Sequence, residues 1–274
     1  MKSLFRLLAV LPLPVLHAVG AALGWLAFLL SPTYRRRFLG NARQAGYGFA
    51  PVRAAIGEAG KLVGEVPRLW FGRSAVLQWE GAELIEAARR AGRGIIFLTP
   101  HLGCFEVTAQ GYAQRYGPIT VLYRPARKAW LRGLVDTARA RANLATAPTT
   151  LAGVRQMLRA LKAGEAVGLL PDQVPPEGLG VWAPFFGRDA YTMTLPARLA
   201  QQSGALLLLA WGERLAWGRG YRIRLREWRG DVPRDPASAA RETNARMEQL
   251  VRECPQQYLW GYARYKQPRQ EMAP

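Results

Sequence analysis

Histidine is nearly absent from this sequence. Its 274 residues include two, His17 and His101, and two cysteines, Cys104 and Cys254. Neither type clusters, so the spacings that hold zinc are missing and no metal is expected. Two distant cysteines fit a reduced compartment, or a face turned toward one. Acidic residues are scarce as well: 19 Asp and Glu stand against 38 Lys and Arg, a net charge of +19. That excess favours anionic partners, whether nucleic acid, acidic lipid headgroups or an acidic protein. Nucleic acid is disfavoured, because there is no helix-turn-helix signature, RNA-binding motif or zinc spacing, and the nine Trp are scattered or lie in apolar runs. Gly-x-Ser-x-Gly and Gly-Lys-Ser/Thr are missing too, which removes the hydrolase elbow and the phosphate-binding loop. No repeat, low-complexity tract or domain linker is visible. What remains is a chain that is 50% apolar, enough for one full core and an appendage.

The appendage is N-terminal. Leu7 to Leu30 carries no charged residue. As one helix it is about 36 Å long, enough to cross a hydrocarbon core of roughly 30 Å. Pro12 and Pro14 interrupt it early, so its first third is expected to kink or to lie in the interface. Lys2 and Arg6 precede the run; Arg35, Arg36, Arg37 and Arg43 follow it. The heavier positive flank is C-terminal, which puts the main domain in the cytoplasm. No small-x-small cleavage site follows, and the run is long for a signal peptide. The division is therefore a membrane segment over 1–33 and a single domain over 34–274. Whether the segment spans the bilayer or lies in its interface stays open at this point.

From Gly92 onward the pattern is α/β. Short apolar runs at 94–99, 119–123, 166–170 and 205–211 read as buried strands. Tyr221-Arg222-Ile223-Arg224-Leu225 alternates and suits a strand with one wet face. Thr150 can cap a helix whose inner face is Leu151, Val154, Met157, Leu158 and Leu161. Asp235-Pro236 starts another, with Met247, Leu250 and Val251 inward. Strands alternating with helices imply a layered α/β domain, a mixed sheet flanked by helices. Residues 175–190, rich in Pro and Gly, read as a long loop, and such loops are usually functional.

The chemistry concentrates in Thr99-Pro100-His101-Leu102-Gly103-Cys104-Phe105-Glu106. This stretch follows a strand directly, so His101 stands at the strand's C-terminal mouth, where α/β sheets place ligands. Glu106 lies five residues on, at the start of a helix, and one turn can return it beneath the imidazole. A carboxylate on one ring nitrogen fixes the tautomer and leaves the other nitrogen to take a proton. Such a pair can activate a hydroxyl. A His near a Glu is by itself a common structural pair. The strand-end position, and the lack of another His in the body of the chain, favour catalysis. Cys104 offers a competing route as a thiolate with His101 as base, but burial explains that cysteine equally well.

His101-x4-Glu106 matches the His-x4-Asp/Glu motif (here HX4E) of glycerolipid-type acyltransferases. Further blocks follow in order: Leu122-Tyr123-Arg124-Pro125, Leu169-Leu170-Pro171-Asp172-Gln173, Pro184-Phe185-Phe186-Gly187, Thr192-x-Thr194-x-Pro196-Ala197-Arg198, Pro255-Gln256-Gln257-Tyr258-Leu259-Trp260 and Arg264-Tyr265-Lys266. With the N-terminal apolar segment, they resemble the late, lauroyl/myristoyl-type acyltransferases of lipid A biosynthesis over essentially the whole chain. The resemblance implies a glycerolipid acyltransferase-like fold, a bacterial inner-membrane location and no cofactor. It implies an acyl carrier protein thioester as donor and an anionic lipid acceptor, the hydroxyl of a 3-hydroxyacyl chain on a lipid A precursor. A phospholipid or lyso-lipid acyltransferase using carrier protein or coenzyme A is the alternative, and the C-terminal blocks favour lipid A. Two departures stand out: Cys104 where the family often has Asn, and Gly261-Tyr262-Ala263-Arg264 where it often has His-Arg-Arg. His101 is expected to deprotonate the acceptor and Glu106 to orient it. Arg124 is a candidate for phosphate or oxyanion contact and Arg188 for phosphate. Asp172 is read as a loop organiser at a strand end, within reach of substrate.

Overall fold

A computed structural model describes residues 2–72, 75–123 and 142–270. The N-terminal apolar run is two helices, α1 (Lys2–Val10) and α2 (Leu13–Leu30). They part at Leu11-Pro12, because Pro12 has no N–H to donate and its ring blocks the turn before it. Pro14 falls in the first turn of α2, where a missing N–H costs nothing. Helices α3 (Pro32–Gln44), α4 (Phe49–Val52), α5 (Ala54–Gly64) and α6 (Val66–Phe71) follow. The stretch between the apolar run and the first strand is thus largely helical.

The α/β expectation is met. Strands β1 (Leu77–Glu80), β2 (Ile95–Leu98), β3 (Ile119–Tyr123), β4 (Leu144–Pro148), β5 (Ala166–Leu169), β8 (Leu206–Arg214) and β9 (Tyr221–Glu227) form one sheet, ordered β1-β9-β8-β2-β5-β3-β4. The five strands from β8 to β4 run parallel, and β9 lies antiparallel to β8. Helices α7 (Ala82–Arg90), α8 (Glu106–Arg115), α9 (Leu151–Lys162), α10 (Leu195–Ser203) and α11 (Pro236–Glu253) cover it. Thr150 and Asp235 cap α9 and α11 through side-chain oxygens that accept from Gly153 N and Ser238 N.

Alternation sorts the central strands onto two cores. Ile96, Leu98, Val167, Leu169, Leu207 and Leu209 join α9, α10, α11 and the α2–α5 side. Ile95, Phe97, Ile119, Ala166, Leu208 and Ala210 pack against α7 and α8. Strand β9 keeps one wet face, as its Arg222 and Arg224 anticipate.

The long loop expected over 175–190 is shorter than that. Strands β6 (Gly180–Phe185) and β7 (Arg188–Met193) make a separate antiparallel hairpin there. Its two-residue turn, Phe186-Gly187, has positive φ at both positions, +48° and +73°, the twist that tight hairpins favour. Pro184 and the flanking glycines disguise the strand pattern in the sequence.

Candidate active site

Strand order builds the site. The chain leaves β2, passes through α8, β3 and β4, and returns to insert β5 between β2 and β3. Leu98 pairs with Leu169 across β2 and β5. Three residues beyond each of those positions stand His101 and Asp172, so register alone brings them together at the C-terminal ends of neighbouring parallel strands. His101 Nδ1–H donates to Asp172 Oδ1 at 2.8 Å, and the His101 backbone N–H donates to Oδ2 of the same carboxylate, also at 2.8 Å. The Tyr258 hydroxyl adds a third bond to Oδ2 at 3.3 Å.

Asp172 therefore occupies the place on the imidazole that the sequence reading gave to Glu106. A carboxylate one strand over competes with one five residues away, and the β2–β5 pairing delivers it to Nδ1. Burial alone would push the Asp172 carboxyl up. The His101 imidazole and backbone N–H, aided by Arg264, bring it below the ordinary carboxylate range. The other ring nitrogen, Nε2, accepts from the Gln173 side-chain amide at 3.1 Å. With Nδ1 protonated, Nε2 carries the lone pair and is the basic atom. Tyr262 stacks on the ring, 5.5 Å between centroids and 12° between planes, and Phe105 meets it edge-on at 5.1 Å.

The segment carrying His101 is stitched down along its length. Cys104 N–H donates to Gly212 O, Gly103 N–H to Gln257 O, and Leu259 N–H to His101 O. Gly103 has φ +59°, and a Cβ there would fall 2.1 Å from Gly212 O, so only glycine fits. Gln257 also clasps Arg214 through both backbone groups. The block Pro255–Trp260 is thus the clamp that fixes the imidazole from behind. Cys104 is fully buried, and burial, with Glu65 alongside, drives its thiol well above the ordinary value. That favours the neutral thiol and opposes the cysteine route.

Glu106 opens α8, as expected, and lines an apolar trough between that helix and the sheet. Phe97, Phe105, Ala109, Val121, Leu144 and Gly168 are among its walls, and Thr99 and Glu106 supply polar groups. Phe105 connects the trough to His101, since it borders both. Arg188 opens β7 with its guanidinium 4.7 Å from the Tyr265 ring centre. Arg124 lies outside the described residues. Gln173, Tyr258 and Tyr262 were not singled out from the sequence. Gln173 and Tyr258 did lie in blocks recognised there, and adjacency to Asp172 was the one signal for Gln173. Among the described residues, no three His, Cys, Asp or Glu side chains converge as a metal site requires.

Comparison with known proteins names the family. Residues 49–267 match the family described as bacterial lipid A biosynthesis acyltransferase. The chain belongs to that family. It is 30% identical over 209 residues to the lipid A biosynthesis palmitoleoyltransferase of Escherichia coli K12, covering 74% of this chain and 67% of that protein. It is 28% identical over 274 residues to the lipid A biosynthesis lauroyltransferase of the same organism, covering 93% and 87%. A lipid A biosynthesis acyltransferase of Shigella flexneri matches at 30% over 209 residues. The site of this family member sets the unprotonated Nε2 of His101 close to an apolar trough, with Phe105 bordering both.

Proposed function

We propose that this chain moves a fatty acyl group from an acyl carrier protein thioester to a hydroxyl of a lipid A precursor. It would do so at the bacterial inner membrane, with residues 34–274 as the catalytic unit facing the cytoplasm and residues 1–33 as the membrane segment. Family membership supports the acylation of lipid A. The observation that carries the mechanism is His101 held through Nδ1 by Asp172 with a basic Nε2.

The acceptor hydroxyl displaces the Gln173 amide from Nε2 and gives His101 its proton as the oxygen attacks the thioester carbonyl. The C–O bond forms and a tetrahedral oxyanion develops. It collapses as the C–S bond breaks, and the imidazolium returns the proton to the departing sulfur as the carrier's free thiol. Asp172 stabilises the imidazolium between the two transfers. Glu106 is assigned as a second catalytic carboxylate that acts from the trough wall, while Asp172 orients the base. The trough takes the donor's acyl chain. Arg124 and Arg188 are assigned to the acceptor's phosphates.

The test is mass spectrometry of lipid A from cells with and without this gene product, paired with an assay of the purified enzyme on a carrier thioester. Loss of one acyl chain from the deleted strain, restored by wild type and not by His101→Ala, is expected. Unchanged lipid A together with transfer to a lysophospholipid would overturn the acceptor.

A further inference from the structure

Helix α2 is apolar all round, and by length and composition it could cross a membrane: 18 residues with mean hydropathy 1.9. Its two sides meet different surroundings. Leu16, His17, Gly20, Gly24 and Phe28 are buried. Gly20 and Gly24 bring its backbone against α5; a Cβ on Gly60 would lie 1.9 Å from Gly20 O, and one on Gly24 2.3 Å from Ile56 O. Close backbone approach of this kind needs glycine on both helices.

The seam runs the length of α2 and ends in the catalytic body at both extremes. At one end Gly218, just past β8, packs on Pro14. Beside it His17 Nε2 meets Glu65 Oε2 at 3.0 Å, and Arg214 of β8 grips the same carboxylate through Nε at 2.9 Å and Nη2 at 2.6 Å. At the other end Phe28 joins the core that holds Ile96 and Leu98. A helix upright in a bilayer would draw α5 with it, and with α5 the charges of Glu58, Lys61, Glu65 and Arg214. Each such charge costs several kcal/mol in hydrocarbon.

The opposite side of α2 is bare among the described residues. Val15, Val19, Leu23, Leu26 and Leu30 are 45–72% exposed at helical spacing. Leu7 and Val10 of α1 are equally bare, and Trp217, beside Pro14's neighbour Gly218, is 87% exposed at φ +60°. Exposed tryptophan beside an apolar helix suits the headgroup level of a membrane. The first 57 residues hold no Asp or Glu, and include Arg35, Arg36 and Arg37 directly after α2. That charge complements anionic lipid.

Resting on the membrane location proposed above, we infer that α1 and α2 do not cross the bilayer. They lie in the plane of one leaflet, the Val15–Leu30 face in the acyl chains, and both ends of the segment stay on the side of the catalytic domain. The occupant of the bare face is an anionic lipid surface.

Single-cysteine variants at Ser3 and Thr33 test this, with a membrane-impermeant maleimide applied to spheroplasts before and after lysis. The native Cys104 and Cys254 are both buried and serve as the unlabelled background. Both introduced thiols should react only after lysis. Labelling of Ser3→Cys alone in intact spheroplasts would show a spanning helix and overturn the inference. Labelling of both in intact spheroplasts would keep the in-plane helix and overturn the cytoplasmic placement instead. In a second arm, Val19→Glu with Leu23→Glu should release the protein in high salt with its melting temperature and its turnover of carrier thioester on detergent-dispersed acceptor unchanged. Retention of that variant on salt-washed membranes would remove the α2 face as the lipid contact.

Discussion

Which carboxylate serves His101 is a question about single residues. Asp172 holds Nδ1 in the resting site, while Glu106 stands at the head of α8 in the motif's sixth position. Asp172→Asn keeps the shape but removes the charge that stabilises an imidazolium. It should lower kcat by about 10²–10⁴-fold, the usual worth of general-base catalysis, with KM for the thioester little changed. Glu106→Gln should cost less, because the ring keeps its partner. Steady-state kinetics of both variants decide the matter; a near-normal kcat in Asp172→Asn would reduce Asp172 to a loop organiser. Gly168 governs a different property. It lies on the trough wall, where a Cβ would stand 3.2 Å from Val121 Cγ1. Gly168→Leu fills the space where the acyl chain is placed, at a stability cost of about 1–3 kcal/mol. Assayed with decanoyl to palmitoyl thioesters, the variant should shift its preference toward shorter chains. The same length profile as wild type would mean that the acyl chain lies elsewhere.

At the scale of elements, the α5–α6 junction and the end of β8 are joined by Glu65. It accepts from His17, Arg214 and Tyr221 with no exposure at all. Burial alone would raise its carboxyl, but Arg214 and the His17 bond outweigh burial and bring it from about 4.5 down to about 2. The sign follows from linkage: a depressed folded-state value contributes stability above pH 4.5 that is lost as pH falls toward 2. Glu65→Gln should remove that part of the acid sensitivity. At neutral pH it should also lower stability by about 3–5 kcal/mol, since it leaves Arg214 buried without its partner. Thermal melts of both proteins between pH 5 and pH 2 measure this; parallel pH curves would show that Glu65 is not the ionised hub of the junction.

Over the whole molecule, a net charge of +19 must act at long range. An acidic carrier protein would be steered toward such a surface, with a gain in association rate that salt erodes. Coenzyme A is also anionic but presents far less surface. Carrier-bound acyl groups should therefore be used at least tenfold more efficiently than coenzyme A thioesters of equal length, about 1.4 kcal/mol in transition-state terms. The preference should shrink as salt is added. Equal kcat/KM for the two donors at low salt would remove the carrier protein from the reading.

Local patterns carried much of this into the sequence. His101 at a strand mouth, the caps Thr150 and Asp235, the order of strands and helices and the apolar N-terminal run are each written within a few residues, because strand alternation, helix period and capping are short-range effects. The HX4E spacing, together with the blocks that follow it and the N-terminal apolar segment, also pointed to the family. Tertiary structure decided the rest. Asp172 lies 71 residues from His101, and they meet only because β5 inserts beside β2 in a register no local pattern encodes. Tyr262 reaches the ring through a C-terminal segment that folds back over β8. The hairpin at Phe186-Gly187 was hidden by its own turn chemistry. The fate of α2 was open for the same reason: its composition suits a bilayer on every side, and only the glycine seam with α5 fixes which side is protein.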